Sequence, residues 1–164
     1  MMNNQISSEF MPKISEVVCE ILQSTAFIFP EPADLSDGIA FDENEFLLAH
    51  LTFNGYREGE VSFITTTGLL VELAANLLGE DEENSISEEK YSDAAKEILN
   101  IISGQILTTL FGEREVFNLT PPEVRTIKGE ELFSILEESP YCFSIADDNP
   151  IITTFALKEG AYEH

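Results

Sequence analysis

Apolar and polar residues recur along the chain in two rhythms, and the changes of rhythm mark its elements. From Pro12 to about Thr25, Ile14, Val17, Val18, Ile21 and Leu22 follow helical spacing, and Pro12 sits where a first turn tolerates it. FPEPADLSDG, residues 29–38, has the Pro, Asp and Gly content of a loop. FLLAHLTF (46–53) and EVSFITT (60–66) are strand-like runs, joined across residues 54–59 as a predicted hairpin. A second helix is predicted over 67–78, with Thr67 as its cap and Gly79 free to take the left-handed conformation that ends it.

The third predicted helix starts at Ser85, whose spacing to Glu88 fits a capping box, or at Ser87, and runs to about Phe111. Beyond it the chain turns strand-like: 115–119, a Pro121-Pro122 break, 123–127, and ELFSILEE at 131–138. A final hairpin pairs 141–146 with 151–157. Consecutive strands with short turns imply an α/β fold of the α+β type, with helices packed on one face of a largely antiparallel sheet. The polar N-terminus, residues 1–10, is expected to be frayed.

Size and charge narrow the function. The 164 residues suit one domain spanning 1–164, and 43% hydrophobic content with 12 Phe excludes compositional disorder. Eight Lys and Arg against 31 Asp and Glu give a net charge of −23. Duplex nucleic acid and anionic membranes need cations that this chain lacks, so neither is an expected partner. No run approaches the roughly 18 apolar residues of a membrane span, and MMNNQISSEF lacks the order of a signal peptide. A cytoplasmic protein is expected. Cys19 and Cys142 lie in apolar runs and read as small buried hydrophobes.

Candidate chemistry is sparse. EDEENSISEE (80–89) holds six carboxylates, which opens a cation-binding reading. It lacks the ligand ladder of a calcium loop, so a solvated linker is the better account and no metal is expected in this chain. His50 and His164 have no Ser, Cys or Asp partner at triad spacing, and no phosphate loop or dinucleotide fingerprint is present. Neither nucleophilic hydrolysis nor a nucleotide cofactor has support.

The third helix says more. At about 100° per residue, Ala95, Ile98, Leu99, Ile101, Ile102, Ile106 and Leu110 share one broad arc, which must face the core. Asp93, Glu97, Asn100 and Gly104 gather in a narrow stripe on the other side. Polar residues on the wet face of an amphipathic helix would look the same. Glu115-Val116-Phe117-Asn118 repeats the Glu-x-x-Asn pattern in a predicted strand, where residues three apart face opposite sides. Gly104 adds a distinguishing feature, since mid-helix glycine costs roughly 1 kcal/mol relative to Ala. Either a neighbouring element of the fold or the backbone of a partner approaches closely there.

Segment 91–124, YSDAAKEILNIISGQILTTLFGEREVFNLTPPEV, resembles the CheX branch of the CheC/CheX/FliY family of chemotaxis phosphatases. That family carries a Glu-x-x-Asn helix followed by a small residue and glycine, matched by Glu97, Asn100, Ser103 and Gly104. Its Thr-Pro-Pro-x-Val segment is matched by Thr120-Pro121-Pro122-Glu123-Val124. The likeness covers roughly residues 47–158 and includes the strand-to-helix passage at 60–79. It implies a phosphatase for the aspartyl phosphate of a CheY-type response-regulator receiver. In that role Glu97 contacts the receiver's active-site lysine and Asn100 orients the attacking water. Asp93, Lys96, Ser103 and Gly104 would border the partner. No cofactor is implied here, Mg²⁺ belonging to the receiver, and a homodimer is implied.

Two departures bear on this. The family commonly has Gly or Ala before its asparagine, where this chain has Leu99. Buried, Leu99 is harmless; exposed, it would hinder the receiver and favour a non-catalytic binding or scaffold module. Members with two active helices carry the dyad twice, but the first helix here offers Glu20-Ile21-Leu22-Gln23. Glutamine is one methylene longer than asparagine, so this helix reads as inactive.

Overall fold

Strand alternation sorts side chains onto the two faces of a sheet, and helices cover whichever face is apolar. The computed structural model describes residues 4–35, 45–79 and 86–159, with side chains from Ser7 onward. Its elements are α1 (Asn4–Glu9), α2 (Met11–Ala26), β1 (Glu31–Pro32), β2 (Glu45–Gly55), β3 (Gly59–Thr66), α3 (Thr67–Leu78) and α4 (Glu88–Phe111). They continue with β4 (Phe117–Leu119), β5 (Glu123–Lys128), α5 (Gly129–Glu138), β6 (Tyr141–Ala146) and β7 (Asn149–Leu157). The strands form one antiparallel sheet in the order β1-β6-β7-β3-β2, and β4 and β5 share the outer edge of β2.

That shared edge follows from the Pro-Pro pair. Neither proline has an N–H to donate, so the ladder along β2 is interrupted between β4 and β5. Thr120 bridges the gap: its N–H donates to the Thr52 carbonyl at 2.9 Å, and its Oγ1 accepts from the Thr52 N–H at 2.9 Å. Both expected hairpins are present. In the second, Asp147 and Asp148 take φ of 50° and 64°, the paired left-handed geometry that suits the twist of a two-residue turn.

Leu47, Ala49, Leu51 and Phe53 of β2 join Val61, Phe63, Ile151, Phe155 and Leu157 against α2, α3 and α4, forming the larger core. This is the expected helical layer. Segment 131–138 differs from expectation, because it lies in α5 rather than in a strand. Leu132 and Leu136 are one helical turn apart, and Glu130 and Glu131 occupy the first turn, where carboxylates complement the helix dipole. The two leucines pack on Phe46, Leu48, Ile64, Ile127, Phe143 and Ile152, so the opposite sheet face carries a second, smaller core.

The N-terminus also departs from expectation. Residues 4–9 are helical, Ser7 is fully buried, and its hydroxyl accepts from the Leu157 N–H at 3.1 Å. Phe10 then meets the rings of Phe111 and Phe155 edge-on, at 5.9 and 6.4 Å. Aromatic burial thus ties down a segment whose polarity suggested fraying. The cap of α3 is Thr66, one residue earlier than expected, with its Oγ1 accepting from Leu69 N at 3.2 Å.

Candidate functional site

Helix α4 is built by its ends and one face. Ser87, one of the two expected start positions, caps it by accepting from Lys90 N at 3.3 Å, and Glu88 and Glu89 follow in the first turn. Ser85 lies outside the described residues. Ala94, Ala95, Ile98, Leu99, Ile102, Ile106 and Leu107 are buried against the sheet and its neighbouring helices. Those contacts fix the azimuth of every other residue on the helix.

Asp93, Glu97 and Asn100 consequently face solvent. Glu97 and Asn100 stand one turn apart, about 5–6 Å between Cβ atoms. Among the described residues neither side chain has a hydrogen-bond or ion-pair partner, so both heads are solvated and available. Lys96, half-buried, flanks the stripe on one side, and exposed Lys90 flanks it on the other. Two of the chain's eight basic residues therefore bracket this dyad.

Gly104 continues the stripe, and a Cβ added there would meet nothing within 4 Å. Packing among the described residues therefore gives no reason for the glycine. Ser103 does not join the stripe: it is fully buried, because its position on the helix turns it toward the Leu99 and Ile106 side. It serves as a small packing residue, not as part of the exposed surface. Leu99 is also fully buried, so it does not obstruct the dyad.

The remaining sequence candidates fall elsewhere. Asn118, in the second Glu-x-x-Asn, lies in β4 and its amide donates to Asn54 Oδ1 at 3.3 Å. On α2, Glu20 and Gln23 are exposed and Leu22 is buried. His50 Nε2 lies 3.4 Å from Glu60 Oε2 in a cleft of about 500 Å³ on the α5 side of the sheet. Ser62 lines the same cleft, and among the described residues it makes no hydrogen bond to His50. Burial pushes the Cys142 thiol up to about 12, with Cys19 nearby adding to the rise, and burial raises Cys19 as well. Neither offers a thiolate near neutrality.

Among the described residues there is no group of three or more His, Cys, Asp or Glu placed to hold a metal ion. Residues 80–85 of the acidic run, and His164, lie outside the described residues. No described helix is long and apolar enough to cross a membrane. One feature was not foreseen. A cleft of about 430 Å³ runs beside the dyad, lined by Leu77 and Leu78 of α3 and by Lys90, Asp93, Ala94 and Glu97 of α4. Its trace in the sequence is Leu78, a large apolar residue directly before a helix-ending glycine.

Known structures share this architecture. The chemotaxis protein CheX from Desulfovibrio desulfuricans superposes with a TM-score of 0.66 at 21% identity, over 92% of this chain and 99% of that one. CheX from Vibrio vulnificus gives 0.68 at 18%, over 93% and 98%. CheX of Borrelia burgdorferi, solved as a CheX–CheY–BeF3–Mg²⁺ complex, gives 0.57 at 20%, over 90% and 97%. No curated protein sequence matches. Residues 47–146, well over half of the chain and including the whole of α4, match the family described as chemotaxis phosphatase CheX. With that match over most of its length, the chain belongs to the CheX family of chemotaxis phosphatases.

Proposed function

We propose that this protein accelerates loss of phosphate from the aspartyl phosphate of a CheY-type receiver, using Glu97 and Asn100. The observation that carries the reading is the solvent-facing dyad on α4, unpartnered among the described residues, with open space over Gly104 on the same stripe. The Borrelia relative's complex with CheY supports the choice of partner.

The chemistry asks little of this chain. Water attacks phosphorus, the phosphorus–oxygen bond to the aspartyl carboxylate breaks, and inorganic phosphate leaves with the water's oxygen and protons. Such transfer depends on alignment and on stabilising charge over the phosphoryl oxygens. The receiver supplies Mg²⁺ and its lysine, so no cofactor need be bound here. A side-chain amide can accept from the water through its oxygen and donate through its nitrogen, which suits Asn100 for holding that water in line. Glu97, one turn away, would meet the receiver lysine and set the depth to which the helix enters. Gly104 would let the receiver backbone come close, and a homodimer remains part of the proposal.

A non-catalytic scaffold was favoured by an exposed Leu99, and Leu99 is buried. The test is phosphate release from a Mg²⁺-loaded, phosphorylated CheY-type receiver with wild type and Asn100→Ala. Faster release that depends on Asn100 is expected. Saturable binding without acceleration would replace the phosphatase reading with the scaffold one.

A further inference from the structure

We infer that the cleft between the end of α3 and the first half of α4 is a docking subsite for the receiver, taking an apolar side chain from the rim of its phospho-aspartate pocket. This rests on the function proposed above. Asp93 and Glu97 belong both to the cleft wall and to the exposed stripe. A receiver that places a lysine against Glu97 must therefore cover the mouth of the cleft as well.

The wall is set before a partner arrives. Ala94 is buried, and Leu69, Leu70 and Leu73 seat α3 in the core. The Asn76 amide donates to the Ala26 carbonyl at 2.7 Å, tying the end of α3 to α2. Gly79, at φ 70°, stops the helix directly after Leu78. Leu78 is left 55% exposed at a fixed position. A single exposed leucine is ordinary; one that walls a cleft shared with the candidate catalytic residue is a contact surface.

The chemistry of the cleft selects its occupant. Leu77, Leu78 and Ala94 make an apolar floor, with Lys90, Asp93 and Glu97 as a charged rim. That is the arrangement of an interface hot spot, in which an apolar anchor is ringed by polar groups that exclude water. Glu97 reads the receiver's lysine and the floor reads its apolar neighbour, which separates choice of partner from the chemical step.

The experiment compares wild type, Leu78→Gln, Leu78→Met and Asn100→Ala by receiver-phosphate turnover, receiver binding, and sedimentation over a concentration series. Leu78→Gln keeps size and removes apolarity; it is expected to raise KM by ~5–20-fold, the loss of one buried leucine contact, with kcat held within roughly twofold. Leu78→Met should restore KM. An unchanged KM in Leu78→Gln, or an equal rise in both Leu78 variants, overturns the subsite. So does a change of oligomeric state in Leu78→Gln, which would seat a second copy of this chain in the cleft. If wild type binds the receiver without speeding phosphate loss, the phosphatase reading fails alone, and weaker binding by Leu78→Gln still upholds the subsite. No binding in wild type rejects both.

Discussion

Helices α2 and α4 carry almost the same four residues, Glu20-Ile21-Leu22-Gln23 and Glu97-Ile98-Leu99-Asn100, and present them alike. In both, the glutamate and the amide face solvent, and the leucine between them is fully buried. Six residues after each glutamate comes a small, fully buried residue, Ala26 or Ser103. The helices part at the next position. α4 runs on through Gly104 to Phe111, with open space over the glycine, while α2 stops at Phe27. Phe27 takes a left-handed φ of 55° and leaves its ring 68% exposed. Under the proposed function, a dyad acts only where the next turn lets another backbone approach. On α2 the helix ends there instead, at an exposed aromatic residue, and glutamine carries its amide one methylene further out than asparagine.

Substitutions can break this contrast or sharpen it. The largest effect is expected from Asn100→Ala, which should lower receiver-phosphate turnover by ~100-fold or more by releasing the aligned water, with affinity measured by titration nearly unchanged. Glu97→Ala should weaken binding by ~10-fold, the scale of one charge-assisted hydrogen bond, and turnover should fall with it. Equal turnover by wild type and both variants would remove the dyad from the mechanism.

Making α4 resemble α2 is the next test. Gly104→Phe should cut turnover by ~10-fold or more by holding the partner off. Gly104→Ala should raise stability by about 0.5–1 kcal/mol in urea unfolding, since it improves helix propensity in open space. Lower activity together with higher stability would mark the glycine as functional. The converse graft, Gln23→Asn with Phe27→Gly in the Asn100→Ala background, should recover a small part of the lost turnover; no recovery would mean that α2 lacks more than these two features.

The smallest effect is expected far from both helices. The hydrogen bond from His50 holds the Glu60 carboxyl below its ordinary 4.5, burial opposes this, and the electrostatic interaction with the same imidazole adds to the lowering. A lowered carboxylate contributes stability above its ordinary value and loses it as pH falls through the lowered one. His50→Ala should therefore cost under ~1 kcal/mol in the neutral range for a pair that water still reaches, and nothing in acid. Turnover should not change, because the pair lies on the α5 side of the sheet.

The sheet and the three long helices were legible because their patterns are local. The strand-like runs 46–53 and 60–66 are apolar over nearly their whole length, and the helical spacing of 88–111 states which face goes inside. Segment 131–138 was not legible as a helix, because Leu132, Ile135 and Leu136 form too short an apolar run to separate a helix from a strand. Only the apolar patch around Phe46, Ile64 and Ile152 gives that helix something to cover. The docked N-terminus was hidden for a similar reason: Ser7 and Phe10 find partners in Leu157 and Phe111, which lie far along the chain.

By itself the sequence determined the face of α4 that carries Glu97 and Asn100, since helical geometry and a buried arc leave one outward stripe. It also determined the family, through the spacing of that stripe to Gly104 and to Thr120-Pro121-Pro122. Whether Leu99 blocks the dyad, whether Gly104 is open, that Ser103 faces inward and that Leu78 walls a cleft beside Glu97 were decided by tertiary structure. Each depends on which neighbouring element fills the space around a side chain. Periodicity along one helix gives a direction, and only packing says what lies there.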